Sequence, residues 1–351
     1  MSSMITGTGI HLPGNRVDNE RLSRIMDTSH EWIVQRTGIE TRYFADPDEA
    51  TSDLALQASI RALEDAGLSP NDVDYIIMAT MTPDYYLPGA GPYLQRKLGI
   101  QNVPCLDIRQ QCAGFIFGAQ LADSLVRTHQ ARNVLLVGAE VHSCLMSWDS
   151  WDIVLGHSDR AVDEEEKEWN TRFRDRTVLF GDGAGACIFS ESEDNGRGVM
   201  DTLLFTDGEL SDRIWANAGG SAFRPFFNPS MTEKGDTVPM IRGREVFRLA
   251  VTLMPDAVIK LLERNRLTLD DVDLLVMHQA NLRINEAIQQ RLNLPDERVF
   301  NNIQRYGNTT AATIPIAFHE ARIDGRVKPG SLVCFVALGS GLHWGAVLYR
   351  A

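Results

Sequence analysis

An α/β fold made of two similar halves is what the sequence predicts, and three observations lead there. Residues 63–80, LEDAGLSPNDVDYIIMAT, align without a gap on residues 262–279, LERNRLTLDDVDLLVMHQ, at a constant offset of 199 positions. Each stretch reads as the end of a helix, a short turn, an Asp-Val-Asp entry and a strand. Each strand is a continuous apolar run, the kind that α/β sheets cover on both faces. A whole helix, turn and strand unit repeated at one offset marks a duplication, here with halves at 1–177 and 178–351.

The remaining elements follow in chain order. VPCLDI (103–108) reads as a short interior strand. From Cys112 onward, CAGFIFGAQLADSLV (112–126) leaves no polar face at a 3.6-residue period, so it forms a buried helix. Cys112 then falls at a strand-to-helix turn, where free backbone N–H groups and the helix dipole favour a thiolate. Taken alone, a free cysteine in such a place is more often a small core hydrophobe. NVLLVGAE (Asn133–Glu140) is a further strand. Residues 141–176 carry the acidic run DEEE and no clear period, and read as a solvated surface excursion. Residues 177–189 (TVLFGDGAGACIF) and 331–350 (SLVCFVALGSGLHWGAVLYR) read as strands that glycines break in mid-run, as where backbone approaches another segment closely.

The duplication brings chemistry together. Carried back by the offset, Asn308 in RYGNTTAATIPIAFHEA lands three residues before Cys112, and both precede an apolar helix. Two equivalent turns would face each other across a pseudo-twofold axis, so that Cys112 and Asn308 share one buried site. His278 arrives there from the end of the repeated strand in DLLVMHQAN.

Composition narrows the function. The 351 residues are 44% hydrophobic and 23% charged, enough for a large core, and the net charge of −13 with no Lys/Arg-rich run disfavours a nucleic-acid partner. The start, MSSMITGTGIHLPG, lacks the pattern of a signal peptide, and no apolar run is long enough to span a bilayer, so a cytoplasmic location is expected. The five cysteines form no CxxC pair, which gives neither a disulfide framework nor a metal site and suits a reducing compartment.

A cysteine at a helix N-terminus is suited to attack a thioester and to hold and pass on its acyl group. If a carbon nucleophile follows, neutral His and Asn donors aimed at one thioester oxygen would stabilise the enolate as it forms. On this reading the helix terminus serves Cys112 in loading, while His278 and Asn308 serve condensation. A cysteine hydrolase would use the same residue types with His as base and Asn as its orienter. A catalytically silent binding subunit is disfavoured because all three types are present.

These residues resemble a known family. CAGF after DIRQQ, HQANLR (278–283), YGNTTAAT (306–313), FGDGAGA (180–186) and LGSGLHWG (338–345) are similar to β-ketoacyl-acyl carrier protein synthase III of the thiolase superfamily, over essentially the whole chain. GDGAG alone resembles a dinucleotide loop, but no ribose-binding helix grammar follows it. The resemblance implies a five-layered αβαβα homodimer with Cys112, His278 and Asn308 as catalytic triad. It implies acyl-CoA and acyl carrier protein as partners, no cofactor or metal, and decarboxylative condensation with malonyl-acyl carrier protein. Trp32 and Arg36 match the residues that hold CoA, and Arg248 and Arg283 match carrier-docking positions.

Three departures from the family pattern stand out. Gln110 and Gln111 replace small residues before the nucleophile, the 141–176 segment is long, and Leu87 in DYYLPGAG stands where a Phe from the dimer partner often closes the acyl pocket. A smaller, flexible gate predicts a medium-chain acyl donor. The alternative outcome is acyl transfer to a hydroxyl or amine, or a non-standard condensation of specialised metabolism.

Overall fold

The computed structural model describes residues 2–192, 194 and 196–351. The first sheet is built from β1 (Ser2–His11), β2 (Tyr75–Ala79), β3 (Cys105–Ile108), β4 (Asn133–Glu140) and β5 (Gly183–Ser192), in the order β1-β5-β4-β2-β3. The second is built from β6 (Gly198–Thr206), β7 (Leu274–Met277), β8 (Val299–Phe300), β9 (Leu332–Gly339) and β10 (His343–Arg350), in the order β6-β10-β9-β7-β8. Adding five to every strand of the first sheet reproduces the second. The pairings agree too: in each sheet the first two are antiparallel and the last two parallel. The duplication read from one gapless alignment therefore extends to the whole topology.

The helices repeat in the same way. They are α1 (Thr51–Ala66), α2 (Gly91–Lys97), α3 (Gly114–Arg127), α4 (Gly243–Arg264), α5 (Leu282–Leu292) and α6 (Thr313–Ile323). Helices α1 and α2 cover the outside of the first sheet, α4 and α5 the outside of the second, and α3 and α6 lie between the sheets, which completes five layers. The middle layer explains the all-apolar reading of α3: Phe115, Ile116 and Ala119 pack against Ile77 and Leu136 of one sheet and Val276 and Phe335 of the other. Each such large side chain contributes about 1.5–3 kcal/mol by leaving water. No helix among the described residues is long and apolar enough to cross a membrane.

Four expectations change. The halves do not divide at 177/178, because Gly183–Ser192 pairs with β1 and β4 inside the first sheet and the second sheet starts at Gly198. VPCLDI is not interior: Cys105–Ile108 pairs only with β2 and forms an edge of this chain's sheet, with Leu106 partly exposed. The 177–189 strand begins only at Gly183, since Arg174–Thr177 is a helical turn and Asp182 is anchored by the backbone N–H groups of Ala45 and Ser143, each at 2.9 Å.

The 141–176 segment is folded, not merely solvated. Its Met146, Trp148, Ile153, Val154 and Leu155 are buried against Leu22, Ile25, Met26, Ile33 and Phe44 in a core of their own. The acidic run is the first turn of the helix Glu164–Thr171, capped by the Asp163 side chain, where negative charge complements the helix dipole.

Candidate active site

Cys112, the candidate nucleophile, lies in a single 3₁₀ turn, Gln111–Ala113, between β3 and α3, and the duplicate of this turn is Thr310–Ala312 before α6. The offset of 199 maps Gln111 onto Thr310, and both hold left-handed backbone, φ 51° and 49°. Non-glycine residues in that region store strain and cluster at functional sites. Each turn is pressed by a strand end of the opposite half. A Cβ at Gly339 of β9 would stand 2.7 Å from the Gln110 carbonyl and 3.0 Å from the Cys112 amide, and one at Gly138 of β4 would stand 2.3 Å from the Ala311 carbonyl. Only glycine lets the two halves close on these turns.

Cys112, His278 and Asn308 line one cavity of about 350 Å³, with walls from both halves. Burial pushes the Cys112 thiol up to about 12, and the nearby Glu140 carboxylate adds to the rise, against a smaller downward pull from its own amide. Desolvation disfavours the thiolate. Loading therefore needs a base.

His278 can be that base. It follows β7, its backbone N–H donates to the Val336 carbonyl at 2.9 Å, and burial lowers its pKa to about 3, which keeps the ring neutral. Its Nδ1 lies 2.7 Å from Thr313 Oγ1, which is also 3.0 Å from the Thr310 carbonyl. The hydroxyl has one proton: given to the carbonyl, it accepts from Nδ1–H and leaves Nε2 bare; given to Nδ1, it leaves Nε2–H as a donor.

Asn308 is the donor. Its Oδ1 accepts from the Thr310 N–H at 2.8 Å, while its backbone bonds to Leu179 and Gly181 at 2.8 and 3.1 Å. With the oxygen so held, the Nδ2 hydrogens are left for a ligand. Of the two glutamines before the nucleophile, Gln111 lines the cavity and Gln110 does not.

The other singled-out residues lie outside the cavity. Trp32 is flanked by two guanidinium groups, Arg36 at 4.2 Å and Arg174 at 4.8 Å from the ring centre. Arg174 escaped the sequence reading because it closes the 141–176 segment. Arg283 is partly exposed; it donates to the Val34 and Gln35 carbonyls at 3.0 and 3.1 Å and pairs with Glu286 at 2.8 Å. It caps the helix His30–Thr37, and Asn281 adds a bond to the Arg36 carbonyl at 3.1 Å. HQANLR therefore ties His278 to the Trp32 helix. Arg248 is exposed on α4, whose Val246, Ala250 and Met254 line the cavity. Leu87 is 80% exposed and does not line the cavity of its own chain.

Three buried polar residues were also missed: Thr313, Glu140 and His142. Glu140 accepts from the Met81 N–H at 2.7 Å, and burial pushes its carboxyl up to about 7. His142 lines the cavity, stacked on Phe180 with ring centres 3.6 Å apart.

The chain is similar to known proteins over almost its whole length. The family models for 3-oxoacyl-[acyl-carrier-protein (ACP)] synthase III and for its C-terminal region match residues 106–208 and 262–351. The chain is 42% identical over 346 residues to beta-ketoacyl-[acyl-carrier-protein] synthase III of Caldanaerobacter subterraneus subsp. tengcongensis, covering 99% of this chain and 97% of that protein. It is 42% identical over 352 residues to the protein of that name from Granulibacter bethesdensis, covering 99% of each. The crystal structure of 3-oxoacyl-[acyl-carrier-protein] synthase III from Aquifex aeolicus matches with a TM-score of 0.85 at 38% identity, covering 99% of this chain and 100% of that one.

Proposed function

The chain belongs to the 3-oxoacyl-[acyl-carrier-protein] synthase III family of condensing acyltransferases, and from that premise we propose that it loads a medium-chain acyl group from acyl-CoA onto Cys112 and condenses it with malonyl-acyl carrier protein. The observation that carries the proposal is the meeting of Cys112, His278 and Asn308 in one cavity built from both halves.

In loading, His278 Nε2 takes the thiol proton, the thiolate attacks the acyl-CoA carbonyl, and the expelled CoA thiolate takes that proton as it leaves. In condensation, Asn308 Nδ2–H donates to the malonyl thioester oxygen as carbon dioxide departs, and the enolate carbon attacks the acyl group on Cys112. The Cys112 thiolate is released and takes a proton from solvent. Thiol, imidazole and amide suffice for these steps, and no cofactor enters.

The finer parts rest on particular surfaces. Trp32 between Arg36 and Arg174 suits the adenine and phosphates of CoA, through stacking and charge. Exposed Arg248, above the α4 residues that line the cavity, suits an acidic carrier. The edge strand Cys105–Ile108 with exposed Tyr85, Tyr86 and Leu87 suits a second copy of the chain, through which Leu87 would gate the partner's acyl pocket. Intact-mass spectrometry after incubation with an acyl-CoA series tests the chain-length proposal. Octanoyl-CoA acylates Cys112 faster than acetyl-CoA if it holds; faster acetylation, or a profile that Leu87→Phe leaves unchanged, overturns the preference or the gate respectively.

A further inference from the structure

One residue of the cavity wall reaches both partners of the thiol. Thr310 lies two positions beyond Asn308, and its three polar groups go to three different places. Its N–H donates to Asn308 Oδ1 at 2.8 Å. Its carbonyl lies 3.0 Å from Thr313 Oγ1, the atom that stands 2.7 Å from His278 Nδ1. Its hydroxyl is hydrogen-bonded to the Glu140 carboxyl, which the Thr80 hydroxyl also meets, and has no other partner among the described residues. Amide and imidazole thus hang from one backbone unit, and that unit from one acid.

Glu140 is placed to be the anchor. It ends β4, the strand of the first half whose Gly138 presses on the Ala311 carbonyl, and residues two apart on a strand share a face. The carboxyl is fully buried and its Oε1 accepts from the Met81 N–H at 2.7 Å, which fixes it. Thr310 needs such a hold. At φ 49° it occupies the left-handed region, where a β-branched residue is rare and persists when its surroundings over-determine it. The duplicate turn is held differently: Gln111 turns its amide back to the Arg109 carbonyl at 2.8 Å, two residues away. The acid therefore serves the turn that carries the amide and reaches the imidazole.

We propose that Glu140 and Thr310 are positioning residues for both half-reactions: the carboxyl holds the Thr310 hydroxyl, and Thr310 sets Asn308 through its N–H and His278 through Thr313. This deepens the reaction proposed above and rests on it.

Thr310→Ala and Thr310→Ser, with octanoyl loading and condensation measured as separate single turnovers, test it. Thr310→Ala should slow both steps by roughly tenfold or more, while half-saturation by malonyl-acyl carrier protein stays within about a factor of two, because misplaced groups cost rate rather than binding. Thr310→Ser keeps the hydroxyl and should return both steps to near the wild-type rate. Glu140→Ala should lose the same factor as Thr310→Ala, and Glu140→Gln, which keeps an oxygen for the hydroxyl, should lose less. Combining Thr310→Ala with Glu140→Ala should cost no more than either alone, as for two groups joined in one contact. Loss of one step alone, a change confined to half-saturation, or Thr310→Ser as slow as Thr310→Ala overturns the proposal, and so do losses that multiply in the double variant. The Thr310 pair leaves Glu140 in place, so the test stands even where a Glu140 variant does not fold. Wild-type protein that neither loads nor condenses overturns instead the reaction on which the proposal rests.

Discussion

A thiol pushed up to about 12 is almost wholly protonated at neutral pH, so the loading rate depends on what removes its proton. His278 Nε2 is bare for that task when the Thr313 hydroxyl accepts from Nδ1–H, whereas Asn308 offers only donors. His278→Ala should therefore lose loading by roughly a hundredfold or more, the usual worth of a positioned base. Asn308→Ala should spare loading and lose condensation by roughly a hundred- to thousandfold, the cost of one oxyanion donor. Single-turnover acylation and condensation measured separately would show this split; normal loading by His278→Ala would contradict it. Glu140 carries a second test. Burial holds its carboxyl near 7 in the fold against 4.5 unfolded, so the fold is favoured while the group is protonated and loses that advantage as pH rises from 4.5 through 7. The loss amounts to about 3 kcal/mol at most. Glu140→Gln escapes it, and its thermal midpoint relative to wild type should be higher at pH 8 than at pH 5. An equal difference at both pH values would contradict the buried charge.

Among the elements, the strand ends position the site. The end of β9 approaches the Cys112 turn so closely that a methyl group at Gly339 would meet three backbone atoms, the Gln110 oxygen and the Ala113 and Cys112 nitrogens, at 2.7, 2.8 and 3.0 Å. Backbone cannot yield there without moving the nucleophile. Gly339→Ala should keep the α/β circular dichroism spectrum and lose Cys112 acylation by about a hundredfold, the scale of an ångström's misplacement. Wild-type acylation rates would contradict this. The repeated helix, turn and strand were legible because long apolar runs and turn residues announce themselves locally. The 141–176 segment was not. Its helices span four to eight residues, too short for a period, and Trp148, Ile153 and Leu155 find their partners in residues 22–44, far away in sequence.

For the whole molecule, duplication is the reason that a site appears at all. Two copies of one topology place equivalent turns on either side of a shared middle layer, and the copies have diverged so that one carries the thiol and the other the imidazole and amide. That much was readable, since Cys112, His278 and Asn308 sit at strand and turn ends that one offset relates. The polar residues around them were not, because the burial of Glu140, His142 and Thr313 depends on both sheets closing, which no local pattern records. The boundary between halves escaped for a similar reason: Gly183–Ser192 belongs to the first sheet by pairing with β1 and β4, not by any local break in composition.

An acyl group held on Cys112 is expected to be joined to a malonyl unit with loss of the malonyl free carboxyl. Purified protein, loaded with octanoyl-CoA and then given malonyl-acyl carrier protein labelled in that carboxyl, should release one labelled carbon dioxide for each β-ketoacyl product, and Cys112→Ala should release none above background. Transfer of the octanoyl group without carbon dioxide, or carbon dioxide and product formed equally well by Cys112→Ala, would contradict it.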